Sequence, residues 1–195
     1  LAMKKWYPEQ PLFPSGFSAF NTPIDGMTVN SYLIWDARSG HAAAFDTGGS
    51  CEPMLEFVRE QRLTVRYIFL THTHHDHIAD LARLAEETHA EVWASEREPV
   101  SHPGARTFSE NAFFHLGPLA VKTLSTWGHS AGGTTYFVTG LSWPLAVVGD
   151  ALFSCSMGGG MVSFADAYDN NAKKIMTLPG NTVLACGHGP LSTVA

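Results

Sequence analysis

No stretch of this 195-residue chain approaches the roughly 20 consecutive apolar residues that span a bilayer, so no membrane partner is expected. No apolar segment follows Lys4 and Lys5 either, so a secretory leader is not expected and a cytoplasmic location is. Cysteine is scarce. Cys51, Cys155 and Cys186 form an odd set, too sparse for a disulfide framework and at home in a reducing compartment. Positive charge is scarce too: 12 Lys and Arg stand against 18 Asp and Glu, for a net charge of −6. A nucleic-acid partner needs a basic footprint, so none is expected, and a small molecule is the expected partner. After Lys122 only Lys173 and Lys174 are basic. No repeat, low-complexity tract or linker is present, and the length suits one domain with a sizeable core.

What is present reads as strands followed by β-α units. Met27 to Trp35 and Ala42 to Phe45 look like paired strands around a turn at Asp36–Gly40. Ser50 is placed to cap a helix from Cys51 to Arg62. Val65 to Leu70 is a near-continuous apolar run, as in a strand covered on both faces. Ile78, Leu81, Ala82 and Ala85 recur at helical spacing, predicting a helix over 78–87. Glu91 to Ala94 returns as a short strand, and residues 96–111 read as irregular and polar. Further strands are expected at Leu119–Leu124, Thr134–Thr139, Leu145–Val148 and Thr182–Ala185, with a helix over Phe164–Leu178. This pattern gives an α/β class of sheets with helices outside.

The run Thr71-His72-Thr73-His74-His75-Asp76-His77 stands where the apolar strand hands over to a helix. In extended backbone, residues i and i+2 share a side. His72 and His74 can therefore grip one ion together, while His75 faces away. Asp76 and His77 fall at the turn into the helix and can face a second ion. Three more candidates each follow a glycine beside an apolar strand: His129, Asp150 and His188. Imidazole and carboxylate donors suit zinc, iron and manganese.

Four segments resemble, in residue type and order, the metallo-β-lactamase superfamily. They are His72-Thr73-His74-His75-Asp76-His77, Thr126-Trp127-Gly128-His129-Ser130, Val148-Gly149-Asp150-Ala151-Leu152-Phe153 and Cys186-Gly187-His188-Gly189-Pro190. The glyoxalase II-like, or hydroxyacylglutathione hydrolase-like, branch is the nearest in look. The resemblance implies a four-layer αββα sandwich: two facing mixed sheets, outer helices, and metals at one rim. It implies a single domain over residues 1–195, with 1–24 as an N-terminal lead-in and no C-terminal substrate domain. It also implies two divalent ions, zinc first, with iron or manganese able to take the same ligands. His72, His74 and His129 would hold one ion; Asp76, His77 and His188 would hold the other; Asp150 would bridge them. Asp76 would also be catalytic, orienting an attacking hydroxide and taking its proton. The implied reaction is hydrolysis of a small thioester, ester or lactone. Asp46 resembles the acid that fixes a ligand imidazole, and reads equally well as a plain turn residue.

There are departures from the branch. Trp127 stands where proline is usual, lining a pocket or simply packing. Residues 151–172 contain no Lys or Arg, whereas glyoxalase II proper uses basic residues there for glutathione carboxylates. Two other readings use the same residues. One is a mononuclear iron oxygenase resembling persulfide dioxygenases, with His72, His129 and Asp150 as a facial set; the intact second set argues against it. The other is a non-catalytic metal-binding module, against which the intact Asp76 counts. His41, His75, His89, His102 and His115 fall outside the pattern, and Cys155 and Cys186 read as structural thiols. The aromatic stretch Trp6, Tyr7, Phe13, Phe17 and Phe20 reads as cover for a core edge.

Overall fold

The computed structural model describes residues 15–195, so the expectations for Trp6, Tyr7 and Phe13 lie outside the described residues. The first sheet runs, in spatial order, β1 (Ser15–Ile24), β2 (Met27–Asp36), β3 (His41–Phe45), β4 (Thr64–Phe69), β5 (Glu91–Ser95) and β6 (Arg106–Phe108). Its first three strands are antiparallel and the rest parallel. The second sheet runs β12 (Ser192–Thr193), β11 (Val183–Cys186), β10 (Leu145–Gly149), β9 (Thr134–Thr139), β8 (Leu119–Ser125) and β7 (Phe113–Leu116), with only β10 and β11 parallel. Helices α1 (Glu52–Glu60) and α3 (Leu81–Thr88) lie on the first sheet. Helix α4 (Phe164–Asn170), continued by a π-helical turn at Asn171–Ile175, lies on the second. The single-turn α2 (His75–Ile78) sits at the rim. Among the described residues no helix is long and apolar enough to cross a membrane.

Strand alternation sorts the side chains into three interfaces, as four layers require. Along β10, Leu145 and Val147 face the opposite sheet while Ala146 and Val148 pack with Ile175 of the π-helical turn that continues α4. Along β11, Val183 and Ala185 point in while Leu184 and Cys186 point out. Along β3, Ala43 and Phe45 join the inner layer and Ala42 and Ala44 pack under α1 and α3. The inner layer is aromatic at its centre: the Phe69 ring lies 5.5 Å from Phe45 and 5.1 Å from Tyr136. Truncating fully buried Phe69 to Ala should cost about 3–5 kcal/mol. Tyr136 also donates its hydroxyl to Leu70 O at 2.7 Å, and Thr134 N donates to Thr71 O at 2.9 Å. The second sheet is thereby pinned to the residues that open the histidine run.

Several local expectations are corrected. Residues 15–24 of the expected lead-in form a full edge strand, turned back through Asp25 and Gly26, both at positive φ. Phe17 stacks on Tyr32 in the inner layer, and Phe20 packs edge-on against Phe57. The helix over 78–87 is two helices broken at Ala79–Asp80, because Asp80 turns to the neighbouring loop. There it accepts from Cys51 N at 2.9 Å and donates its own N–H to Thr47 Oγ1 at 3.2 Å. Cys51, not Ser50, is the cap residue of α1, while the Ser50 hydroxyl accepts from Glu52 N at 3.3 Å. The segment 96–111 contains the three-residue strand β6. Strands β7 and β12 were not anticipated.

Candidate metal centre

Every candidate ligand lies just beyond the C-terminal end of a strand, on the rim where both sheets end. His72, His74, Asp76 and His77 follow β4, His129 follows β8, Asp150 follows β10 and His188 follows β11. The glycines beside them give the cluster room. A Cβ on Gly187 would collide with Asp150 Oδ1 and the His77 ring, and one on Gly149, at φ +52°, would strike Thr71.

The structure brings all seven residues together. His74 Nδ1 lies 3.1 Å from His72 Nε2 and 3.0 Å from His129 Nε2. On the other side, His188 Nε2 lies 3.1 Å from Asp76 Oδ2, and His77 Nε2 lies 3.6 Å from the same oxygen. Asp150 stands between the two trios. Its Oδ1 is 3.2 Å from His77 Nε2, and its Oδ2 is 3.5 Å from both His129 Nε2 and His188 Nε2. Exposed His75 and the other histidines outside the pattern join none of these groups.

Four of the five imidazoles are held from behind, His74 being the exception. His72 Nδ1 meets Thr71 Oγ1 at 3.0 Å, and His77 Nδ1 donates to Asp46 Oδ2 at 2.8 Å. His129 Nδ1 donates to Gly159 O at 2.8 Å and His188 Nδ1 to Thr28 O at 2.7 Å. A nitrogen that donates outward leaves the other ring nitrogen as a bare donor facing in, which is how proteins prepare imidazole for a metal. Asp46 takes the supporting role. It accepts from Thr71 N and Thr71 Oγ1, both at 2.7 Å, as well as from His77.

The residues fit a pair of divalent ions. His77 Nε2 and Asp150 Oδ1 are buried and face only each other, at 3.2 Å, an arrangement that a cation beside them would satisfy more fully. The 3.0 and 3.1 Å from His74 Nδ1 to the other two imidazole nitrogens are close to the roughly 3.3 Å that separates nitrogens around a tetrahedral ion. Electrostatics agree. Burial, then the neighbouring His77, pushes His72 well below the usual imidazole range. Burial and His129 lower His74. Burial also opposes protonation of His77, but Asp46 and Asp150 outweigh it and lift His77 to about 10. The Asp150 hydrogen bond raises His188. Burial works against ionising Asp150, yet bonds from His188 and His77 hold it far below the usual carboxylate range. The pocket draws positive charge toward Asp150.

Sequence reasoning missed four supports. Glu98, only 7% exposed, accepts from Thr73 N and Thr73 Oγ1 at 2.9 Å and from Gly132 N at 2.6 Å, tying together the loops of His72, His74 and His129. Asn30 holds the His188 loop through Gly187 O, Cys186 O and Gly189 O at 2.8–3.0 Å. Gly159 and Thr28 act through backbone carbonyls. Trp127 packs: the Arg97 guanidinium lies 4.5 Å over its ring, and its carbonyl accepts from Asn170 Nδ2 at 2.8 Å.

Fold and cluster define a metal-binding protein built as a four-layer α/β sandwich. Comparison with known proteins narrows this. The family model of the metallo-beta-lactamase superfamily matches residues 24–188. A hydroxyacylglutathione hydrolase of Bartonella henselae is 35% identical over 158 residues, 80% of this chain, which spans only 61% of that relative's length. A probable metallo-hydrolase of Bacillus subtilis is 26% identical, over 88% of this chain and 90% of its own. The BLEG-1 B3 metallo-beta-lactamase structure superposes with a TM-score of 0.80 at 24% identity, covering 91% of this chain and 94% of that one. The chain belongs to the metallo-β-lactamase superfamily, in its glyoxalase II-like branch.

Proposed function

We propose that this protein is a dinuclear metal-dependent hydrolase that cleaves a small thioester, ester or lactone. The observation that carries the reading is Asp150, placed between two complete donor trios at one open rim. His72, His74 and His129 would hold one ion, and Asp76, His77 and His188 the other, with Asp150 shared. Zinc suits the donor set best, and iron or manganese can replace it. Two such ions supply a water acidified toward neutral pH and a Lewis acid for the carbonyl under attack.

The chain's own groups do the rest. Asp76 is partly exposed at the mouth, and its Oδ2 faces His188 Nε2 at 3.1 Å. It orients the attacking water and takes its proton. The bonds from Asp46, Thr71, Gly159 and Thr28 keep the imidazoles from turning, so the site is ready before substrate arrives.

The test is hydrolysis of activated thioesters, esters and lactones by metal-loaded and chelator-stripped protein. Turnover should need metal, and Asp76→Ala should lower kcat about 10²–10⁴-fold while the fold persists. Protein holding two metals but cleaving none of these compounds would overturn the proposal. One iron per chain with oxygen uptake on a persulfide would replace it with the oxygenase.

A further inference from the structure

Among the described residues seven large apolar side chains are left exposed; Met27 and Phe113 stand on β2 and β7, and the other five fall in one stretch of chain, 161–176. Met161, Val162, Phe164, Tyr168 and Met176 all stand out to solvent, Met161 by 74% and Phe164 by 64%. The first of them belong to the segment that supports His129. Gly159 O accepts from His129 Nδ1 at 2.8 Å, and Val162 N and Ser163 N both donate to Gly128 O, at 2.9 and 3.0 Å. A Cβ on Gly159 would meet Met161 Cγ at 3.9 Å, so the Met161 side chain starts out beside the residue that holds the imidazole. Phe164 and Tyr168 are four apart on α4 and share a face. Tyr168, Phe153 and Met157 then line a cavity of about 460 Å³, and the other flank of Phe153 lies 6.0 Å from the His188 ring. Exposed apolar side chains thus follow the segment that supports His129 into α4, and Tyr168 carries them to the cavity that Phe153 shares.

Cations near this track are engaged elsewhere. Lys173 pairs with Asp169, and Lys174 binds Glu110 and Ser125 O. Arg97 lies over Trp127. Residues 151–172 carry no positive charge. Such a surface favours an apolar ligand and gives an anionic one no partner.

Resting on the hydrolase reading above, we infer that the substrate is a medium-chain apolar acyl thioester or ester with an uncharged leaving group. Its acyl chain lies over Met161, Phe164 and Tyr168 while its carbonyl meets the metal centre. Met161 and Phe164 are the specificity-determining side chains.

Metal-loaded protein assayed on neutral N-acetylcysteamine thioesters, from acetyl to octanoyl, tests this beside hexanoylglutathione. The kcat/KM should rise at least about tenfold from acetyl to hexanoyl, and the neutral hexanoyl thioester should exceed the glutathione one. Met161→Ser and Phe164→Ser, with metal content unchanged, should flatten the series. A flat series in the intact protein, a preference for the glutathione conjugate, or a series that survives both substitutions would overturn the inference. So would a dimer that Phe164→Asp dissociates in a protein with no chain-length preference, which would assign the patch to a second copy. Unhydrolysable hexyl and ethyl thioethers of N-acetylcysteamine, titrated by calorimetry, report the surface without turnover. Tighter hexyl binding by about tenfold is expected even in a protein that hydrolyses nothing, and equal binding contradicts the assignment.

Discussion

His72, His74 and His129 form an all-imidazole corner, whereas Asp76, His77 and His188 set a carboxylate between two imidazoles. Burial and mutual repulsion hold His72 and His74 low, so these two imidazoles favour the neutral form that a metal needs. Carboxylates lift His77 to about 10 and raise His188, so the second corner carries protons that a metal must displace. Under the dinuclear reading proposed above, the difference would give the two ions unequal affinity. The first corner is enclosed and charge-poor. The second is partly open to solvent at Asp76 and His188.

Removing the shared group breaks the comparison altogether. Asp150→Ala should cost both corners a ligand, drop metal content below two, and lower kcat about 10³-fold, the several kcal/mol expected of a lost ion. Elemental analysis beside turnover checks it; retention of both ions would refute the bridging role. Asp46→Asn should weaken both corners about 10–100-fold in metal affinity, because this one carboxylate steadies His77 directly and His72 through Thr71. An effect confined to one corner would contradict that.

Acidity sharpens the comparison. Metal binds neutral imidazole, and His77 stays protonated until pH passes about 10. Affinity at the second corner should therefore rise with pH between 6 and 8, by up to about tenfold per unit, with proton release. His72 and His74, held low, should add no such slope at the first corner. Metal titrations at three pH values decide this, and two equal slopes would argue against unequal corners. The smallest effect is expected from Glu98→Ala. It should cost about 1–3 kcal/mol of stability and weaken the first corner alone, through Thr73 and Gly132. Stepwise metal affinities and thermal melting distinguish this from a uniform loss.

The seven ligand candidates were legible because their chemistry is unusual for the positions they hold: imidazoles and acids crowded at strand exits and flanked by glycine. The central strands were legible because both faces of each are covered, leaving apolar runs such as Val65–Leu70. Edges were not. β6, β7 and β12 have two to four residues, too few for a period to show, and their pairing comes from the neighbouring strand. The break between α2 and α3 was hidden because Asp80 fits an exposed helix position, and only its bond to Cys51 N takes it out of one. Glu98 was hidden among Glu96 and Arg97, a charged patch that looks solvated until Thr73 and Gly132 turn toward it. Asp46 became decidable only when His77 arrived at its other side. Gly159 and Thr28 contribute carbonyls, which no residue type advertises.

The most direct test of the account is metal per chain by elemental analysis, on protein purified without added metal, with His188→Ala alongside. Two ions in the intact chain and one in the variant are predicted, since only the second corner loses a ligand. A single ion in the intact chain, or two in both proteins, would contradict the pairing of corners around Asp150.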